Sequence, residues 1–190
     1  MWKETAELFL GFAETIIILA GLLAAAYQIR QTARAVDQAS DRHKEENDWN
    51  RKIAAQTALE RTGASPVLSK LQKRFRYIDK RMIIPFDEIE SACAEDDELK
   101  TELFGMLNSY EKIARGVNFG IYDDSVIRAA RRGSISKAYL AFLEMIEHRR
   151  TEYGARQAWK ELESLVLSWE ASDPTWLTGE LGAHRQSSSE

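Results

Sequence analysis

Residues 97–124 read DELKTELFGMLNSYEKIARGVNFGIYDD. Leu99, Leu103, Met106, Leu107, Tyr110, Ile113 and Ala114 recur at three- and four-residue intervals, so a helix of 3.6 residues per turn gathers them on one face. Asp96 or Asp97 supplies a capping carboxylate in front of them, and Gly116 a ready stop behind. The spacing predicts a helix over 98–115, the strongest in the chain. Beyond it Val117, Phe119, Ile121 and Tyr122 make an apolar turn. Asp123 or Asp124 then caps a short helix that runs to Arg131 and ends at Gly133.

Helical periodicity continues on both sides. Toward the carboxyl end one longer helix uses Ile135, Tyr139, Phe142, Leu143 and Ile146, and another uses Ala158, Trp159, Leu162, Leu165, Val166 and Trp169. From Ser172 the chain turns polar and small, and a disordered tail over 172–190 is expected, with docking confined to Trp176 and Leu177. Toward the amino end the break at 63–66 places Ser65 as N-cap and Pro66 at a first helical position. Val67, Leu68, Leu71, Phe75 and Ile78 mark the helix that follows, to about Lys80. Residues 82–85 form an extended apolar connector, and a short helix covers 86–92. Nothing over 47–171 alternates with a period of two for a useful length, so no sheet is predicted. The expected body, 49–171, is a helical bundle, and the chain is all-α.

Residues 8–29 read LFLGFAETIIILAGLLAAAYQI, 22 residues with one charge, long enough at ~1.5 Å per residue to cross a ~30 Å hydrocarbon core. Trp2 and Tyr27 sit where interfacial aromatics belong. These features predict a transmembrane anchor over 1–29. Lys3 stands alone before it, while Arg30, Arg34, Arg42 and Lys44 follow, which places the amino terminus outside and the body on the cytoplasmic side of an inner membrane. A stalk helix is expected over 30–48, with a weak apolar stripe of Ala33, Val36 and Ala39. Glu14, Gly21, Ala25 and Gln28 share a small and polar face, a candidate seam for a homo-oligomer through the span. The alternative is that Glu14 reaches the interface or is protonated and does nothing further.

A net charge of -4, from 26 basic and 30 acidic residues, does not suit a nucleic-acid partner held by phosphate neutralisation. Cys93, the single cysteine, cannot form an internal disulfide, and its acidic neighbours disfavour a reactive thiolate. His43, His148 and His184 have no second ligand at helical spacing, and the acidic run over 87–98 lacks the spacing of a calcium loop, so no metal or cofactor is implied. No phosphate-cradling glycine loop, nucleophile elbow or paired cysteine appears, and an enzyme is not expected. Arg128, Arg131, Arg132 and the run His148, Arg149, Arg150 read as charges at helix carboxyl ends, with contact to anionic headgroups as the second reading. Glu111 lies beside the apolar stripe of the strongest helix, where a carboxylate needs a partner. Three roles stand open: an ion pair with Arg128, a cap on the turn over 116–122, or, with Arg128, part of a partner surface.

Glu111, the run Ile113, Ala114, Gly116, Val117 and the run Gly120, Ile121, Tyr122, Asp123 resemble an uncharacterised bacterial and phage family of small membrane-anchored helical proteins. Trp49, Arg51 and Ala54 at the start of the body, and Trp159, Glu163 and Trp169 in the last helix, match it too. The resemblance implies a domain of unknown function, in a family some of whose members are linked to phage resistance, and assigns no catalytic residue. Two functions are expected to compete. One is a membrane-anchored interaction or sensor protein that recruits an unidentified protein partner. The other is an oligomeric effector that alters ion or proton permeability of the bilayer through the Glu14 seam.

Overall fold

The computed structural model describes the backbone of residues 2–63, 67–79, 82–152 and 154–187, and side chains at 19, 21–61, 70–79, 82–152, 154–175 and 177–184. Among the described residues the chain is all-helical: α1 (Trp2–Gly63), α2 (Val67–Phe75), α3 (Phe86–Glu95), α4 (Asp97–Asn118), α5 (Asp124–Ala141), α6 (Leu143–Glu152), α7 (Lys160–Ser172) and α8 (Trp176–Ser187). It divides into two compact units, Met1–Trp49 and Asn50–Glu190.

The first unit is helical, and every described side chain in it is exposed, with Leu22, Tyr27, Ile29 and Val36 open to solvent. The expected transmembrane anchor is overturned: among the described residues no helix is long and apolar enough to cross a membrane. Arg30, Arg34 and Asp37 follow Ile29 within about two turns, and the described side chains on both sides of this junction are all exposed. The single-pass inner-membrane location, with the amino terminus out and the body in the cytoplasm, is overturned by the same finding.

In the second unit α4 is the central helix and packs on α2, α3, α5 and α7. Its stripe is buried as the periodicity requires, with Leu103, Leu107, Ile113 and Ala114 at or near zero exposure. Asp96 is the N-cap, its Oδ1 accepting from the amides of Glu98 at 2.9 Å and Leu99 at 3.1 Å. α5 does not stop at Gly133. Ile127 and Ile135, eight residues apart on one face, are both fully buried, and that burial outweighs a glycine's modest cost. The break falls instead at Phe142, which packs edge-on against Phe75 at 5.6 Å and tilted against Tyr77 at 5.5 Å. There the Ala141 carbonyl accepts from the Ile84 amide of the connector, 2.9 Å away. The segment after Ser172, expected to be disordered, carries α8, with Leu177 and Leu181 in the core.

Candidate interaction site

Every helix begins with amides that lack intrahelical partners. α7 has no help from its own N-cap residue: Trp159 stands there in the left-handed region, φ 52°, with no side-chain cap. Glu111 supplies it from α4. Its Oε1 accepts from the Glu161 amide at 3.3 Å and its Oε2 from the Leu162 amide at 2.8 Å, while Arg115 one turn along α4 stands 3.6 Å from the carboxylate. A carboxylate at a helix amino end also meets the positive pole of the helix dipole. The Asn118 side chain donates through its Nδ2 to the Glu161 carbonyl, 3.1 Å, and carboxylate, 2.7 Å.

Arg128 is elsewhere. It donates to the Trp169 carbonyl at 3.4 Å and pairs with Asp173 at 3.5 Å, at the carboxyl end of α7. Beside it Arg132 donates to the same carbonyl at 3.3 Å, pairs with Glu170 at 3.1 Å, and also holds Asp173. The ion pair expected between Glu111 and Arg128 is therefore not how either is used: the two grip opposite ends of one helix. Two tryptophans complete the frame. Trp159 donates its indole N–H to Asn108 at 3.0 Å and stacks on Phe104, and Trp169 donates to Asp124 at 2.7 Å. Because Glu111 is only 12% exposed, Glu111→Ala is expected to cost about 2 kcal/mol by stranding two amides. Chemical denaturation reads this directly, and a loss under about 0.5 kcal/mol sinks the capping role.

The same stretch builds the turn after α4. Gly116 passes so close to Tyr122 that a Cβ there would lie 2.2 Å from the ring. The Gly116 carbonyl accepts from the amides of Ile121, 2.8 Å, and Tyr122, 2.9 Å, and Gly120 turns at φ 68° with its amide on the Val117 carbonyl. α1 braces the far side: the Arg51 carbonyl accepts from the Asp123 amide at 3.3 Å, and the Arg51 guanidinium donates to the Tyr122 carbonyl at 3.5 Å. Asp123 caps α5 through the Val126 amide, and the Ser125 hydroxyl holds its carboxyl below the usual range. What this fixed turn leaves outside is apolar: Phe119 is 65% exposed and Ile121 56%. The sequence marks the turn as apolar between two helices. That these two side chains face out follows only from Gly116 and Tyr122 closing against each other.

Gly21, Ala25 and Gln28 are exposed, and the side chain of Glu14 lies outside the described residues. Cys93 is buried, which pushes its thiol up, beside a concavity of about 390 Å³ bordered by Phe86, Leu103, Met145 and Arg149. His148 stacks on Phe86, His184 meets Glu147 at 3.1 Å and His43 lies 4.0 Å from Glu46. Arg149 sits over Phe104, and Arg150 binds the Ala158 carbonyl and Glu163. Among the described residues no group of three or more His, Cys, Asp and Glu is placed to hold a metal ion.

No curated protein and no solved structure matches the chain. The family described as "Domain of unknown function (DUF4760)" matches residues 15–169, a span that includes α4, the turn after it and α7 as far as Trp169. The chain belongs to that family.

Proposed function

We propose that this chain is a helical interaction module that works by binding a protein partner rather than by catalysis, and that Phe119 and Ile121 are its anchors. The observation that carries the reading is the exposure of two large apolar side chains on a turn whose backbone is fixed by its own hydrogen bonds. Scattered exposed apolar residues are ordinary, but a pair presented by a rigid turn is pre-organised, so little conformational entropy is lost on binding. Burying them contributes roughly 1–2 kcal/mol each, the scale of an interface anchor. The resemblance to a family with members linked to phage resistance suggests infection as the setting in which to look. The permeability alternative requires a membrane span and is not carried forward.

The test is a photo-crosslinking residue at position 119 in the full chain, with exposed position 180 as control, in cells before and during phage challenge. A discrete adduct at 119 that disappears with Ile121→Asp is expected. Adducts at 119 no more abundant than at 180 in both conditions end the proposal.

A further inference from the structure

α3, α4 and α6 meet around the open cleft of about 390 Å³ beside Cys93. None of the residues of the 116–122 turn lines it, so the two surfaces are tested separately. Its floor is apolar: Ile89 from α3, Leu103 from α4 and Met145 from α6 are all buried, with the Cys93 thiol beside them. Small-molecule sites of roughly 300–1,000 Å³ are lined in the same way, by an apolar surface with a few placed polar groups.

Two of the polar groups here are consecutive on α6, and aromatic rings orient both. The His148 imidazole stacks on Phe86 of α3, centroids 3.8 Å apart and planes within 24° of parallel, and the Arg149 guanidinium lies over the Phe104 ring of α4, 4.7 Å from its centroid. The rings are themselves held. Phe104 stacks on Trp159, 5.8 Å away, and the Phe86 amide ties the amino end of α3 to α6 by donating to Glu144 at 2.8 Å. A planar group stacked through its face keeps its N–H groups in its own plane, directed away from the stack, where a flat oxyanion can accept them. The donors at the rim are thus fixed before a ligand arrives, and little ordering is left to be done on binding. The other charges of the lining do not reverse the sign of this end. Asp97 and Lys100 stand one turn apart on α4 and carry opposite charges, and Glu90 on α3 is exposed, where water and salt screen it.

We propose that this cleft binds a small carboxylate with an aryl or short alkyl body. The body lies on Ile89, Leu103 and Met145, and the carboxylate accepts from the in-plane donors of His148 and Arg149. Glu90 is the resident acid that such a ligand has to approach, and it holds the affinity down.

Cys93 makes the cleft readable, because it is the single cysteine of the chain and its alkylation by iodoacetamide reports whether the cleft is filled. In the full chain hydrocinnamate should bind by calorimetry and slow that alkylation over the same concentration range. Hydrocinnamyl alcohol and phenylpropylamine, which share its body but lack the carboxylate, should bind about tenfold more weakly or worse. Arg149→Gln should weaken hydrocinnamate by about tenfold and leave the alcohol unchanged, and Glu90→Gln should tighten it. Ala94→Trp, at an exposed position on the rim, should block both, and it carries the test if Arg149→Gln disturbs the stack on Phe104. Equal affinity for the acid and the alcohol, Cys93 alkylation that hydrocinnamate leaves unchanged, or hydrocinnamate binding indifferent to Ala94→Trp overturns the proposal. So does a peptide with a carboxyl-terminal phenylalanine that protects Cys93 where hydrocinnamate does not, which would assign the cleft to the end of a partner protein.

Discussion

Arg132→Ala is expected to lower the stability of the bundle by about 3 kcal/mol, because removing one member of a buried ion pair leaves the other charge without compensation. Arg132 is 16% exposed and Glu170 6%. The loss should appear as a fall in Tm of roughly 6–12 °C for a unit of this size. In the native protein burial pushes the Glu170 carboxyl up, but the Thr175 hydroxyl and amide, Arg132 and the Thr178 hydroxyl outweigh it and hold it below its ordinary value of 4.5. A depressed folded-state pKa means that the unfolded chain takes up the proton first. Glu170 therefore contributes stability above about pH 4.5 that is lost as pH falls through its folded value. Arg132→Ala should raise the pH of that acid limb, and Glu170→Gln should flatten it. Adding Glu170→Gln to Arg132→Ala should restore part of the stability, since the stranded charge is gone. A cost under 1 kcal/mol, with an acid limb unmoved, would mean that the threonines alone hold Glu170.

Gly116→Ala is the second large effect. The added methyl would clash with one edge of the Tyr122 ring, and because the Gly116 carbonyl holds the amides of Ile121 and Tyr122, neither backbone can yield without losing the turn. Overpacking of this kind costs about 2–3 kcal/mol. The change also acts on function: displacing Tyr122 moves Phe119 and Ile121, so crosslinking at position 119 should drop even at temperatures where the bundle is folded. Pairing Gly116→Ala with Tyr122→Ala separates the two outcomes. Relief of the clash should recover stability without recovering the crosslink. A Gly116→Ala chain as stable as the parent and crosslinking normally would remove the close approach from the account.

Local chemistry made α4 legible in the sequence: its stripe, the Asp96 cap and the turn that follows all announce themselves within a few residues. The partner of Glu111 does not. It is a pair of backbone amides fifty residues away, and an amide carries no side-chain signature, whereas a cation such as Arg128 does. Gly133 misled for the opposite reason, since a local stop signal was present but the burial of Ile127 and Ile135 overrode it. The weak helix α8 was hidden by its composition, because glycines and a polar end signal disorder unless a groove is waiting. The 22 apolar residues over 8–29 signal a membrane anchor when taken as a unit, whereas among the described residues no helix is long and apolar enough to cross a membrane.

Trp159 and Trp169 bracket α7, one stacked on Phe104 and bonded to Asn108, the other bonded to the Asp124 carboxylate, while Trp49 in the other unit stands 64% exposed. The molecule thus carries its own optical probes at the two ends of the helix that Glu111 and Arg132 hold. Chains retaining one of these indoles at a time would emit from a buried, hydrogen-bonded environment until that end of α7 lets go. The order in which the two emissions shift toward the red during unfolding would tell which cap is the first to fail.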